Sequence, residues 1–218
     1  MPRQARKKSS TGIYHIMMRG INRQIIFHDD EDHSRFLMTL KKYREISGYE
    51  LYAYCLMDNH VHLLLRVGKE PLEQIMRRIC GSYVYWYNAK YERIGNLFQD
   101  RFKSEVVEND NYFLTVLRYI HQNPLKAGVA TSIEGYRWSS MGEYIGRPQI
   151  VDTGFALSLF NSAREKAVED MIQFCKTIND DQCLDIEEKK RLSDKEAGQI
   201  IKKVCQVENC LELQKLDK

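Results

Sequence analysis

The sequence predicts an α+β fold: a ferredoxin-like antiparallel sheet of order βαββαβ with its helices on one face, plus a C-terminal helical extension. Short runs rich in β-forming residues alternate with longer stretches in which apolar residues recur at three- and four-residue steps. Glycine, proline, asparagine and aspartate stand at the junctions, where turns and helix ends are expected. The order of these runs matches the split ferredoxin-like arrangement.

The first strand and helix are predicted near the N-terminus. Residues 13–19 are rich in β-formers and are followed by Gly20 and a polar loop that reaches Arg23. From about Glu31 the apolar spacing becomes helical, and Gly48 stands where a C-terminal helix stop is expected. This part of the chain therefore predicts a strand followed by a helix.

A hairpin and a second helix come next. Residues 49–57 and 60–67 are apolar and β-prone, and the turn-forming pair Asp58 and Asn59 separates them. Pro71 then opens a long stretch of helical spacing that reaches about residue 93. These features predict strands two and three and the second helix.

The last strand and a third helix complete the main domain. Residues 97–107 predict a fourth strand, and residues 110–123 predict a helix that ends at Pro124, because the residue before a proline disfavours helical geometry. Beyond residue 148 the composition is acidic and helical, notably at 164–178 and 193–207. The predicted organisation is a main domain, 1–148, and an accessory helical region, 149–218.

The composition is that of a soluble protein. The chain has 218 residues, of which 43% are hydrophobic and 29% charged, and no apolar run approaches the roughly 18 residues that span a bilayer. The basic N-terminus is not followed by an apolar signal segment, so we expect a cytoplasmic protein without a membrane partner. The six cysteines form no C-x-x-C pair, which disfavours a disulfide framework or a zinc-thiolate site.

Positive charge is concentrated in the main domain. Residues 1–150 hold 22 Lys and Arg against 16 Asp and Glu, whereas residues 151–218 hold 11 against 14. The first part is therefore at +6 and the second at −3. This excess is compatible with a phosphate-binding face, although many soluble domains reach it without binding nucleic acid.

The His60-Val61-His62 segment is the first candidate for chemistry. Residues two apart on a strand project from the same face, so both imidazoles can reach one divalent ion. Two ordinary strand histidines are the alternative interpretation.

A second candidate lies on the third predicted helix. Tyr119 and Asn123 are four residues apart, which places a phenol and an amide oxygen on one face. They could supply a nucleophile and a third metal ligand, although Tyr119 alone would be interpreted as a core aromatic residue. His121 is the rival ligand, but it faces elsewhere on the helix, where a packing or surface role is expected.

The chain resembles the REP-associated tyrosine transposases, which belong to the HUH (histidine-hydrophobic-histidine) class of single-strand nucleases. The resemblance covers roughly residues 10–146 and rests on five motifs in the same order. These motifs are Y-H-I-M-M-R-G (14–20), H-V-H (60–62), G-N-L-F-Q-D-R-F-K-S (95–104), Y-I-H-Q-N-P-L-K-A-G (119–128) and Y-R-W-S-S (136–140).

The resemblance implies a function for each candidate residue. It makes His60 and His62 metal ligands, Tyr119 the nucleophile and Asn123 the third ligand, with Mg²⁺ or Mn²⁺ as the metal. Residues 1–148 would then be a catalytic domain that cleaves and rejoins single-stranded DNA through a 5′-phosphotyrosine intermediate. The implied partner is DNA with a REP-like or insertion-sequence hairpin, and a homodimer is possible.

Basic residues could contact the DNA backbone. Arg19 and Arg23 flank a glycine loop, and Arg101 and Lys103 alternate along the predicted fourth strand. Solvated surface charge is the alternative for each of them.

Two other functions compete with the transposase interpretation, and the first is a metal-dependent phosphoesterase or hydrolase that uses the histidines without a covalent tyrosine. A metal-dependent phosphoesterase is disfavoured because a second H-x-[S/T] motif is absent, and a metallohydrolase of the H-x-H-x-D-H type needs an acid where Leu64 stands. The other alternative is a catalytically silent, domesticated protein that binds single-stranded DNA or hairpins.

Overall fold

Four antiparallel strands form one sheet in the computed structural model, which describes residues 6–181 and 183–184. The strands are β1 (Ile13–Arg19), β2 (Glu50–Met57), β3 (His60–Arg66) and β4 (Lys103–Val107). Their order across the sheet is β2-β3-β1-β4, which is the ferredoxin-like order. The predicted fold class is confirmed, and β1 and β3 are the two central strands.

Six α-helices accompany the sheet within the described residues. They are α1 (Asp30–Ser47), α2 (Leu72–Lys90), α3 (Asp110–Lys126), α4 (Met141–Ile145), α5 (Thr153–Ser158) and α6 (Arg164–Lys176).

The sheet separates α1 and α2 from α3. Cys80 of α2 lies against Met18 of β1, with 3.3 Å between the sulfur atoms. Side chains alternate along β1, so His15 projects from the other face, where its ring meets Tyr119 of α3. The two helices of the βαββαβ unit therefore share one face, as predicted, and α3 covers the opposite face.

The fourth strand is shorter than predicted. It begins at Lys103, because the preceding residues 97–99 bond to residues 19–21 in a register that differs from that of β4. The Ile21 N–H donates to the Leu97 carbonyl at 2.9 Å, and the Gln99 N–H donates to the Arg19 carbonyl at 2.9 Å. Only an isolated bridge between Gly20 and Phe98 forms there.

The third helix is longer than predicted. It passes through Pro124 and ends at Lys126. A proline this close to the helix end removes only the bond to the Ile120 carbonyl. The Ala127 N–H still donates to the Asn123 carbonyl at 2.9 Å, which keeps the last turn closed.

Residues 137–151 cover the outer edge of β2. The Leu56 N–H donates to the Trp138 carbonyl at 2.9 Å, and the Ser140 N–H donates to the Tyr54 carbonyl at 3.0 Å. The buried carboxylate of Glu143 then accepts three backbone N–H bonds from residues 149–151. The chain is thus tied to the sheet where it leaves the predicted main domain.

The described part of the predicted accessory region is helical. It contains α5 and α6, and α6 starts at residue 164 as expected. Gln122 of α3 donates to the Cys175 carbonyl at 2.8 Å, and Arg118 makes a two-bond ion pair with Asp181. The helix expected at 193–207 lies outside the described residues, and the division at 148/149 stays a prediction.

In residues 6–181 and 183–184, no helix has both the length and the apolar character to cross a bilayer. Cys55, Cys80, Cys175 and Cys183 are free thiols.

Candidate active site

The two histidines of the H-V-H segment lie on one face of the sheet. The tight turn at Asp58 and Asn59 starts β3 at His60, so His60 and His62 project towards α3. On the neighbouring strand β1, His62 is opposite Met17 and His60 is opposite Arg19. The proposed ligands are therefore held by a central strand, with hydrogen-bonded neighbours on both sides.

His62 is fully buried and has one unpaired nitrogen. Its Nδ1 lies 3.0 Å from Nε2 of His15. Its Nε2 is buried and has no hydrogen-bond partner among the described residues. Burial, and secondarily the neighbouring His15 and His60, hold the pKa of His62 well below its usual value. The imidazole is therefore neutral at pH 7, which is the form that binds metals.

His60 is held by the turn that precedes it. Its Nδ1 lies 2.7 Å from Oδ1 of Asn59. An amide oxygen can only accept, so His60 must donate from Nδ1, and its Nε2 carries the lone pair when the ring is neutral. The rings of His60 and His62 are nearly perpendicular, with centroids 5.2 Å apart.

Tyr119 faces these histidines from α3. Its ring centroid is 5.5 Å from that of His62 and 5.8 Å from that of His15, both in edge-on arrangements. The Nζ atom of Lys126 lies 5.2 Å from the Tyr119 ring centroid. The side chain is only 7% exposed. The predicted nucleophile and the predicted histidine ligands thus meet within a single chain.

Asn123 and His121 occupy different sides of α3. Asn123 follows Tyr119 by one turn, and its Nδ2 donates to the Tyr119 carbonyl at 3.3 Å, a bond that does not use Oδ1. His121 is fully buried, and its Nε2 lies 2.8 Å from the Ser140 hydroxyl. Burial lowers the pKa of His121 to about 4. His121 therefore packs α3 against residues 137–151, as expected for the rival ligand.

These donors fit a divalent ion with open coordination positions. His62 offers a buried, unpaired Nε2. In His60, donation from Nδ1 to Asn59 leaves the lone pair of the neutral ring on Nε2. Among the residues that the structure describes, no group of three or more His, Cys, Asp or Glu side chains could hold a metal ion. A third ligand from this part of the chain would therefore be of another type, and the Asn123 amide oxygen is the predicted one.

Arg19 and Arg23 lie beside the histidines. Arg19 shares the sheet face of His60, and its Nε is buried without a hydrogen-bond partner in the described structure. Arg23 is exposed, and its backbone carbonyl accepts a hydrogen bond from the side-chain Nδ2 of Asn59 at 3.4 Å. Gly20 permits this loop to turn, because a Cβ there would collide with the carbonyl oxygen of Gln24.

Arg101 and Lys103 do not alternate along one strand as predicted, because β4 begins only at Lys103. Lys103 is exposed and is opposite Met17, so it shares the sheet face of the histidines. Arg101 precedes the strand and lines two cavities with Arg6. The predicted pair is thus divided between two surfaces.

Sequence reasoning assigned no role to His15 or Lys126, which complete the surroundings of His62 and Tyr119. Both residues lie inside motifs that carry the family resemblance, at 14–20 and 119–128. His15 precedes Arg19 by four residues on β1, so their side chains project from the same face of the sheet. This spacing could have identified His15 as a neighbour of the site.

A solved structure shares this fold. The structure of a REP-associated tyrosine transposase bound to a REP hairpin is similar with a TM-score of 0.58 and 17% sequence identity, over 70% of this chain and 93% of that one. A crystal structure described as a transposase of Deinococcus radiodurans R1 is 19% identical over 56% of this chain and 97% of its own, with a TM-score of 0.40. No curated protein gives a significant match.

The fold is therefore one that a tyrosine transposase also adopts. The family model for IS200-like transposases matches residues 8–123, which is more than half of the chain. The chain belongs to the IS200-like transposase family.

Proposed function

We propose that this chain is a metal-dependent single-stranded DNA endonuclease and strand transferase with Tyr119 as its nucleophile. The main support for this function is the contact between the Tyr119 ring and the ring of His62, which is buried and neutral. His62 offers an unpaired Nε2 beside a phenol that could attack phosphorus.

The covalent step balances within the substrate and the tyrosine. A bond forms between the Tyr119 phenol oxygen and phosphorus while the bond from phosphorus to the 3′ oxygen breaks. The phenol loses a proton and the 3′ oxygen gains one. The products are a 5′-phosphotyrosine and a free 3′-hydroxyl, and attack by another 3′-hydroxyl reverses the step on a new strand without ATP.

His60, His62 and Asn123 are the proposed ligands of a divalent ion, Mg²⁺ or Mn²⁺. Such an ion, when bound, polarises the scissile phosphate and offsets the charge that develops during attack. Mn²⁺ suits two nitrogen donors better than Mg²⁺ does, which makes it the better experimental probe.

Cationic side chains near the site support a phosphate substrate. Arg19 presents a buried, unpaired Nε beside His60, and a phosphate oxygen would supply its missing acceptor. Lys126 lies over the Tyr119 ring and would stabilise negative charge on the phenol oxygen during attack. Arg23, on the exposed loop whose carbonyl accepts from the Asn59 side chain, is a further proposed contact to a phosphate.

A basic surface around Arg101 is a proposed path for the DNA strand. A cavity of about 730 Å³ is lined by Arg101 and by Arg6, Lys7 and Lys8, with Glu73 as its acidic member. An adjoining apolar cavity of about 310 Å³ includes Phe98 and Phe102 in its lining. Cations that follow the backbone, together with aromatic rings, are the combination that binds single strands.

The substrate that we propose is single-stranded DNA with a hairpin. The similar transposase structure contains a REP hairpin, and this supports the choice of a hairpin probe for this chain. Tyr119 and His62 are in contact within one chain, and a homodimer stays a prediction.

The decisive experiment uses hairpin-containing single-stranded DNA labelled at its 5′ or 3′ end. The protein is incubated with the DNA and Mn²⁺ or a chelator, and the products are separated on a denaturing protein gel. We expect the 3′ label to become attached to protein only with metal and only when Tyr119 is present. Tyr119→Phe is compared with Tyr85→Phe, because Tyr85 is 81% exposed and would report non-specific attachment.

Two results would overturn the proposal. Cleavage that persists in Tyr119→Phe would indicate a metal-dependent hydrolase without a covalent tyrosine. DNA binding without an adduct, unchanged by chelator, would favour the catalytically silent hairpin-binding protein.

A further inference from the structure

A second buried histidine, His15, contacts the proposed ligand His62 from the neighbouring strand. His15 is fully buried on β1, and its Nε2 lies 3.0 Å from Nδ1 of His62. The two rings are stacked with centroids 5.2 Å apart. In this hydrogen bond one histidine must donate and the other must accept, so the pair has two possible arrangements of protons.

Glu105 approaches the far side of His15 from β4. Its Oε2 lies 4.0 Å from Nδ1 of His15, which has no hydrogen-bond partner in the described part of the chain. The Leu184 N–H donates to the same carboxylate at 3.2 Å, and the Tyr112 hydroxyl also hydrogen-bonds it. The carboxylate is therefore held beside the nitrogen of His15 that faces away from His62.

The carboxylate favours one of the two arrangements. With a proton on His15 Nδ1, the N–H faces Glu105, His15 Nε2 accepts from His62 Nδ1, and His62 Nε2 keeps its lone pair. The opposite arrangement places a lone pair of His15 towards the carboxylate. It also places a proton on His62 Nε2, where no acceptor lies within hydrogen-bond reach. Each arrangement leaves one buried N–H without an acceptor at hydrogen-bond distance. The first is the more stable because its N–H faces the negative charge of Glu105 at 4.0 Å, whereas the second turns a lone pair towards that charge.

We propose that His15 is a positioning residue that fixes His62 in the tautomer whose Nε2 can bind a divalent ion, with Glu105 orienting His15 in turn. This inference rests on the proposed metal site. The role matches that of Asn59, which fixes the tautomer of His60 from the turn. Partners of this kind orient metal-binding imidazoles and increase their basicity.

Two substitutions separate the hydrogen bond from the packing of His15. His15→Gln keeps an acceptor close to the position of Nε2, whereas His15→Met fills a similar volume without that acceptor. His121→Met is the matched control, because His121 is equally buried but contacts Ser140. Urea unfolding in chelator verifies that each variant is folded.

The first measurement is the tautomer of His62 in metal-free protein labelled with ¹⁵N-histidine, read from long-range ¹H–¹⁵N couplings. We expect a proton on Nδ1 in the wild type, in His15→Gln and in His121→Met, and its partial transfer to Nε2 in His15→Met. An unchanged tautomer in folded His15→Met would overturn the proposal.

The second measurement is Mn²⁺ affinity by titration calorimetry. We expect His15→Met to bind about 10- to 100-fold more weakly, which is the usual effect of losing such a partner, and the other two variants to bind within about threefold of wild type. Equal affinities in all four proteins would also overturn the positioning role. Failure of the wild type to bind Mn²⁺ would count against the proposed function, and the tautomer measurement would still decide the assignment of His15.

Discussion

Replacing Glu143 with glutamine should destabilise the protein strongly, because one carboxylate oxygen holds three backbone donors. Oε2 accepts from residues 149, 150 and 151 at 2.7, 2.8 and 2.9 Å, and Oε1 accepts from the Tyr54 hydroxyl at 3.1 Å. A charged acceptor contributes roughly 1 kcal/mol more per bond than a neutral one, so three bonds lose about 3 kcal/mol. For a chain of this length the melting temperature should fall by about 6–12 °C.

Urea unfolding and calorimetry measure this loss, with Glu134→Gln as the control. Glu134 pairs with Lys176 at 2.6 Å, but both side chains are partly exposed, so its substitution should cost less than about 1 kcal/mol. A loss below about 1 kcal/mol in Glu143→Gln would refute the reasoning. It would mean that residues 149–151 find other acceptors when the carboxylate is absent.

Three further predictions concern the site and its surroundings. Asn123→Ala should weaken Mn²⁺ binding by roughly tenfold in calorimetry and Asn123→Asp should restore it; wild-type affinity in the alanine variant would exclude Asn123 as a ligand. The pKa of His121 is about 4 in the folded protein against about 6.5 when unfolded, so the folded state binds fewer protons and loses stability as the pH falls below 6.5. Between pH 7 and pH 5 the free energy of unfolding should therefore fall by about 2 kcal/mol less in His121→Gln than in wild type, and equal losses would contradict the burial argument. Arg101→Ala should reduce the salt dependence of single-stranded DNA binding by about 0.7 in the log–log slope measured by fluorescence anisotropy, whereas the exposed Arg147→Ala should leave it unchanged.

Local periodicity was sufficient to predict most of the elements. The alternation of side chains in β3 placed His60 and His62 on one face, and the helical step of four placed Asn123 beside Tyr119. Both inferences need only the geometry of a single element. The start of β4 at Lys103 and the helical position of Pro124 were harder to predict. Pairing of residues 97–99 outside the register of β4 shortened that strand, and the last turn of α3 accommodates a proline.

Contacts between elements could not be predicted in this way. His15 and His62 are 47 residues apart, and their hydrogen bond depends on the register between β1 and β3. The approach of Glu105 depends in turn on the register between β1 and β4. Periodicity within one strand carries no information about register against another, so the surroundings of the proposed ligands needed the three-dimensional structure.

The contact between Tyr119 and His62 within one polypeptide has a consequence for genetic complementation. If every reacting group comes from the same molecule, a chain with a defective nucleophile cannot be rescued by another with defective ligands. A mixture of Tyr119→Phe and His62→Ala proteins should therefore form no adduct, and the initial rate of the wild type should rise in simple proportion to its concentration. Each copy of the protein would act as an independent unit of reaction.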